Sequence, residues 1–129
     1  MYFFYLDESG NTGSDLNSPE QPVHWLASMA VSPQSVRSIE EGMSALSLRY
    51  FGARARHPEF EFHGSHLFQG RGECRDLTPA QRVSLYREIV SLIGRNQGRL
   101  FVRGIDKAEH AKRAKERSYQ PEHPHKLAF

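Results

Sequence analysis

A single cysteine, Cys74, in a chain of 129 residues rules out an internal disulfide and any multi-cysteine zinc centre. No apolar run approaches the about 18 residues that a membrane-spanning helix needs. The apolar start, Tyr2 to Leu6, has no basic lead and is too short for a secretory signal. Neither sign of charge dominates, with 17 Lys and Arg against 15 Asp and Glu and a formal net charge of +2. These absences predict a single domain over residues 1–129, in a reducing, cytoplasmic setting and away from membranes. What is present supports a packed core: 38% of residues are hydrophobic and 11% aromatic, too many for a disordered chain.

Tyr2-Phe3-Phe4-Tyr5-Leu6 is a β-favouring run that meets Asp7-Glu8-Ser9-Gly10 without a break. It reads as a buried strand with an acidic tip. Strand ends in α/β sheets deliver functional side chains, and carboxylates there can hold hard cations such as Mg²⁺ or Mn²⁺. The same four residues also suit a plain turn. Asp7 to Pro22 reads as a loop, and His24 to Ser32 as a second strand, paired antiparallel with the first. Trp25 is assigned to the core.

Ser32-Pro33 opens a helix whose stripe is Val36, Ile39, Met43, Leu46 and Tyr50, with Gly52 as its end. Glu59-Phe60-Glu61-Phe62-His63 alternates strictly and predicts a short strand. Its Glu/Glu/His face either meets solvent or presents Glu61 and His63 to a site. Gly64 to Phe68 continues as a turn or short helix. Gln69 to Asp76 is a polar loop in which Cys74 lacks the setting of a catalytic thiol. Thr78-Pro79-Ala80-Gln81 signals a second helix with a capping box and a buried stripe of Val83, Tyr86, Ile89, Val90 and Ile93. Gly94 to Gly98 lacks a phosphate-loop lysine and reads as a turn. Arg99 to Ile105 is a last strand, followed by Asp106 and a polar helix over 108–117. Asp106 is either a ligand or the N-cap of that helix. The order β-β-α-β-α-β-α predicts an α/β fold, a mixed sheet flanked by helices.

The last third carries Arg95, Arg99, Arg103, Lys107, Lys112, Arg113, Lys115, Arg117 and Lys126 against Asp106, Glu109, Glu116 and Glu122. Such an excess either holds phosphate backbones or forms a solvated helix face. His123-Pro124-His125 reads as a loop without a third metal ligand. The apolar end, Leu127-Ala128-Phe129, predicts that residues 119–129 need a partner: a second copy of the chain or a C-terminal continuation.

Tyr5 to Gly13, the His24–Val31 strand, Glu61 to Phe68 and Gly104-Ile105-Asp106-Lys107 together resemble the bacterial and phage family catalogued as domain of unknown function 3800. The likeness runs in order from residue 2 to about 107. It implies a ribonuclease H-like fold and a metal-dependent nuclease. Two differences stand out. His66 replaces the family's usual aspartate, and the family's last motif, an Ala-Asp pair on a C-terminal helix, falls beyond Phe129, so the domain is expected to lack its C-terminal part.

In such a nuclease two divalent cations about 3.5–4 Å apart activate water and steady the leaving oxygen. The expected metal ligands are Asp7, Glu61 and Asp106, with Mg²⁺ or Mn²⁺ as the cofactor. Asp7, Glu8, Glu61 and His63 are the catalytic candidates: Glu8 as ligand or base, and His63 to orient water, hold phosphate or shuttle a proton. Ser9 and Gly10 would offer backbone N–H groups and a tight turn. His66 is assigned a structural or solvent-exposed role. The alternative is a non-catalytic ribonuclease H-like module that binds nucleic acid or a protein. A third reading is a phosphoesterase acting on small molecules.

Overall fold

The computed structural model describes residues 1–13, 15–121, 123 and 124. The chain forms two compact units. One, the helical unit, comprises Met1–Tyr2 and Val31–Gly98; the other, the sheet unit, comprises Phe3–Ala30 and Arg99–Phe129.

The sheet unit is built on three strands, β1 (Phe3–Ser9), β2 (Val23–Val31, whose last residue belongs to the helical unit) and β3 (Arg99–Asp106), in the order β1-β2-β3. The sheet is antiparallel rather than mixed, and β2 pairs with β3 in the register Val23↔Asp106 to Ala30↔Arg99. Only the central strand is covered: His24, Leu26, Ala30 and Val31 are buried. β1 is exposed along its whole length, so the buried strand expected there is an edge strand. An edge strand has one ladder instead of two, and apolar composition alone does not specify cover. Trp25 is 48% exposed and is therefore no core residue. It lies across Gly104, where a Cβ would come within 2.6 Å of its ring. Glycine is the residue that admits this close approach. Helix α4 (Lys107–Glu116) follows β3.

The helical unit contains α1 (Pro33–Phe51), α2 (Gly64–Gln69) and α3 (Pro79–Arg95). Both long helices start as their sequences dictate. Ser32 Oγ accepts the Ser35 N–H, and Thr78 and Gln81 form a reciprocal capping box. Gly52, at φ 61°, caps α1, and a 3-10 turn over Gly52–Arg56 follows it. The core centres on Phe51, Leu67, Cys74 and Leu85, flanked by Phe60, Phe62 and Ile89.

Three expectations fail here for physical reasons. Residues 59–63 form no strand. Phe60 and Phe62 do share an inward face, 5.2 and 5.8 Å from the Phe51 ring, but packing on a helix end satisfies the alternation without a partner strand. Cys74 is fully buried in a short 3-10 turn rather than held in a polar loop. The buried face of α3 also differs from the expected stripe. Leu85 and Leu92 are buried, whereas Val83, Tyr86 and Val90 face solvent. α3 thus has two apolar faces, and spacing does not say which is covered.

Leu85, 1% exposed, should lose about 2–5 kcal/mol on Leu85→Ala, while Val83→Ala stays within about 0.5 kcal/mol. Urea denaturation of the two variants measures the difference. Equal losses would restore the stripe expected from spacing.

Candidate functional site

The acidic tip of β1 runs into a loop that requires glycine at its first turn. Gly10 has φ +80°, and a Cβ there would stand 2.2 Å from the Val23 carbonyl oxygen. The loop is then tied internally. Asn11 Nδ2 donates to Glu8 Oε1 at 2.8 Å, the Gly13 N–H to Asn11 Oδ1 at 3.1 Å, and Thr12 Oγ1 to the Asp15 carbonyl at 2.6 Å. Lys107 fastens this loop to the end of β3. Its side chain is 1% exposed. Nζ donates to Thr12 Oγ1 at 2.6 Å and to the Gln21 carbonyl at 2.8 Å, and the Lys107 N–H to the Pro22 carbonyl at 3.1 Å. A buried ammonium needs such acceptors to replace lost water. Sequence reasoning counted Lys107 among the basic residues of the last third and beside Asp106, and did not single it out for burial, because nothing local marks a lysine for burial.

β1 and β3 run in the same direction, so Asp7 and Asp106 both lie towards the sheet end where β2 begins. Their carboxylates already have local tasks. Asp7 Oδ1 accepts the Glu8 N–H at 2.9 Å. Asp106 Oδ1 accepts the Glu109 N–H at 2.9 Å, which makes Asp106 the N-cap of α4. Among the described residues, no three His, Cys, Asp or Glu side chains gather as a metal-holding group.

Beyond Asp106 lies a cleft of about 430 Å³ lined by Arg103, Asp106, His110, Arg113, Arg117 and Tyr119, among others. Arg113 Nε bonds Glu109 Oε1 at 2.8 Å. This hydrogen bond holds the Glu109 carboxyl below its ordinary range and the Arg113 guanidinium above its own. Among the described residues no carboxylate forms an ion pair with Arg103 or Arg117. The basic excess of the last third thus gathers three guanidinium groups around one concave surface.

Glu61 and His63 belong to the helical unit. The structure brings them together, with His63 Nε2 at 3.4 Å from Glu61 Oε2. His66, assigned to structure or solvent from the sequence, packs its ring edge-to-face on His63 at 4.9 Å. Its Nδ1 lies 3.0 Å from Glu73 Oε2, and Glu73 Oε1 accepts the His63 N–H at 3.0 Å. Glu73 therefore ties the entry of α2 to the turn at Gly72–Cys74. Gly72, at φ +51°, is required there, since a Cβ would fall 2.4 Å from His66 Nδ1. Burial alone would push the Glu73 carboxyl up. The His63 backbone N–H, its own backbone N–H and the His66 ring outweigh that effect and hold it below the ordinary range. Burial in turn pushes the Cys74 thiol up, and the neighbouring Glu73 charge adds to this, so Cys74 is a core residue and no nucleophile.

His123 stacks edge-to-face on buried His24 at 6.4 Å, while His125 and the apolar end at 127–129 lie outside the described residues. No family model, curated protein or solved structure matches this chain.

A carboxylate whose folded pKa is lowered stabilises the fold above its unfolded pKa, about 4.3 for Glu. It loses that contribution as pH falls through the folded value. Wild type should therefore melt higher than Glu73→Gln at pH 7, and the gap should close below about pH 4. Thermal melts across pH 3–7 test this, and a gap independent of pH would contradict it.

Proposed function

We propose that this chain is a nucleic-acid-binding module that holds the sugar–phosphate backbone in the cleft of Arg103, Arg113 and Arg117. The observation carrying this reading is that two of these three guanidinium groups lack an ion-pair partner among the described residues, while all three line one cleft. Guanidinium is planar and permanently charged, and binds phosphate oxygens in pairs. Each phosphate neutralised releases counterions, so such binding weakens as salt rises. Asp106 has a structural part in this account. As the N-cap it fixes the start of α4, which presents His110 and Arg113 and ends at its C-cap, Arg117. The same reading takes the three-stranded sheet as ribonuclease H-like and the setting as cytoplasmic.

A second reading, a Mg²⁺- or Mn²⁺-dependent phosphodiesterase, draws on Asp7 and Asp106 pointing towards one end of the sheet. Mg²⁺ is commonly held by one or two carboxylates together with substrate phosphates. Asp7 would be the ligand on β1, and the ion would supply charge to a developing phosphorane. The local duties of the Asp106 and Glu8 carboxylates speak against a resident metal cage.

Two measurements separate the readings. Binding of a labelled 15-mer oligonucleotide should weaken in Arg103→Ala and in Arg117→Ala, and each change should lower the slope of log K against log[salt] by about 1. Binding that is absent, or unchanged in both variants, would contradict the module reading. Thermal melts with millimolar Mn²⁺ address the second. Metal at about 100 times its Kd adds about 2.7 kcal/mol, several degrees at this size. A rise that vanishes in Asp7→Asn, together with oligonucleotide cleavage, would favour the phosphodiesterase.

A further inference from the structure

The helical unit has its own cleft, between α2 and α3, of about 350 Å³. Leu67 and Val83 line it, with Phe68 and Tyr86 as aromatic members and Arg82 and Arg87 as the charged ones. Phe68 is 75% exposed and Tyr86 48%, although exposing such rings is costly unless something covers them. The rings meet edge-to-face at 5.8 Å and 63°. Arg82 is fixed in place, its Nη1 donating to the Leu67 carbonyl at 3.1 Å and to the Phe68 carbonyl at 2.7 Å. Arg87 forms no ion pair among the described residues. The only acid of α3, Glu88, is turned to α1, where Arg49 and the Tyr50 hydroxyl bind it. All the charge lining this cleft is therefore positive.

A docked amphipathic helix needs an elongated groove with anchors one and two turns apart. This cleft, at about 350 Å³, is at the small end of ligand sites and pairs cations with open aromatic rings. That combination suits a flat ring with an attached phosphate. We propose that the cleft seats an unpaired base of a single-stranded nucleic acid. The base stacks on the face of one of the two rings, Phe68 or Tyr86, and meets the other edge-on, and Arg87 meets the adjoining phosphate. The proposal rests on the nucleic-acid reading above and adds the strand form it implies: bases in a duplex are already stacked and cannot enter.

The test is fluorescence anisotropy with the full chain and two labelled 15-mers, oligothymidylate and an abasic strand with the same number of phosphates. Melts first confirm that each variant is folded. Phe68→Ala and Tyr86→Ala should each weaken oligothymidylate binding about tenfold, and Phe68→Tyr should retain it. The abasic strand should bind wild type more weakly and ignore both alanine variants, whereas Arg117→Ala should weaken both strands alike. If Arg117→Ala weakens binding but the aromatic variants do not, the base seat is overturned and the module reading stands. If neither strand binds wild type, both are overturned. A third arm uses a 20-residue Leu/Glu amphipathic helix. Its binding in place of oligothymidylate, lost in the same aromatic variants, would overturn the seat in favour of a protein-docking surface.

Discussion

The ammonium of Lys107 holds the sheet unit's functional end together. It is buried beside the turn that leaves β1, and its hydrogen bonds to Thr12 and Gln21 fix two points of a long loop. Its own backbone bonds Pro22. Asp106 precedes it and caps α4, so the same few residues end β3, start α4 and anchor the loop. The arginines of the cleft take their places from α4 and β3. Removing those acceptors would leave a buried charge without replacement for its water, a cost of several kcal/mol in general. The loop between β1 and β2 is therefore part of the site's scaffold, despite its turn-rich composition.

The helical unit uses a carboxylate for the comparable task. Glu73 is mostly buried, and its two oxygens serve the His63 backbone and the His66 ring. Through them the segment carrying Phe60 and Phe62 is held on the core, and α2 starts where it can present Phe68. On the proposed readings the two units would offer different chemistry to a nucleic acid. The sheet unit offers guanidinium groups suited to the backbone, and the helical unit offers aromatic rings suited to bases. Backbone contacts position a strand and base contacts discriminate.

Much of this was legible along the chain wherever the signal is local. Ser32-Pro33 and Thr78 to Gln81 mark helix starts because a cap needs only residues within one turn. The basic excess of the last third was legible as composition, though its gathering around one cleft was not. Signals that depend on distant partners misled. Phe60 and Phe62 alternate as a strand would, yet they pack on Phe51 without a neighbouring strand. The apolar β1 and Trp25 read as core, but this sheet covers only its middle strand, and there the buried His24 and Leu26 alternate with a half-exposed Trp25. Lys107 and Cys74 sit in polar sequence and are buried, because their neighbours come from elsewhere in the chain. Asp106 had two readings, and the geometry of the Glu109 N–H favours the cap.

Backbone amide chemical-shift mapping during titration with oligothymidylate addresses the central claim most directly. The account predicts two separate groups of shifted amides, one from Arg103 to Tyr119 and one around Phe68 and Val83 to Arg87, with the first fading as salt rises. Shifts confined to other surfaces, or none at all, would contradict it.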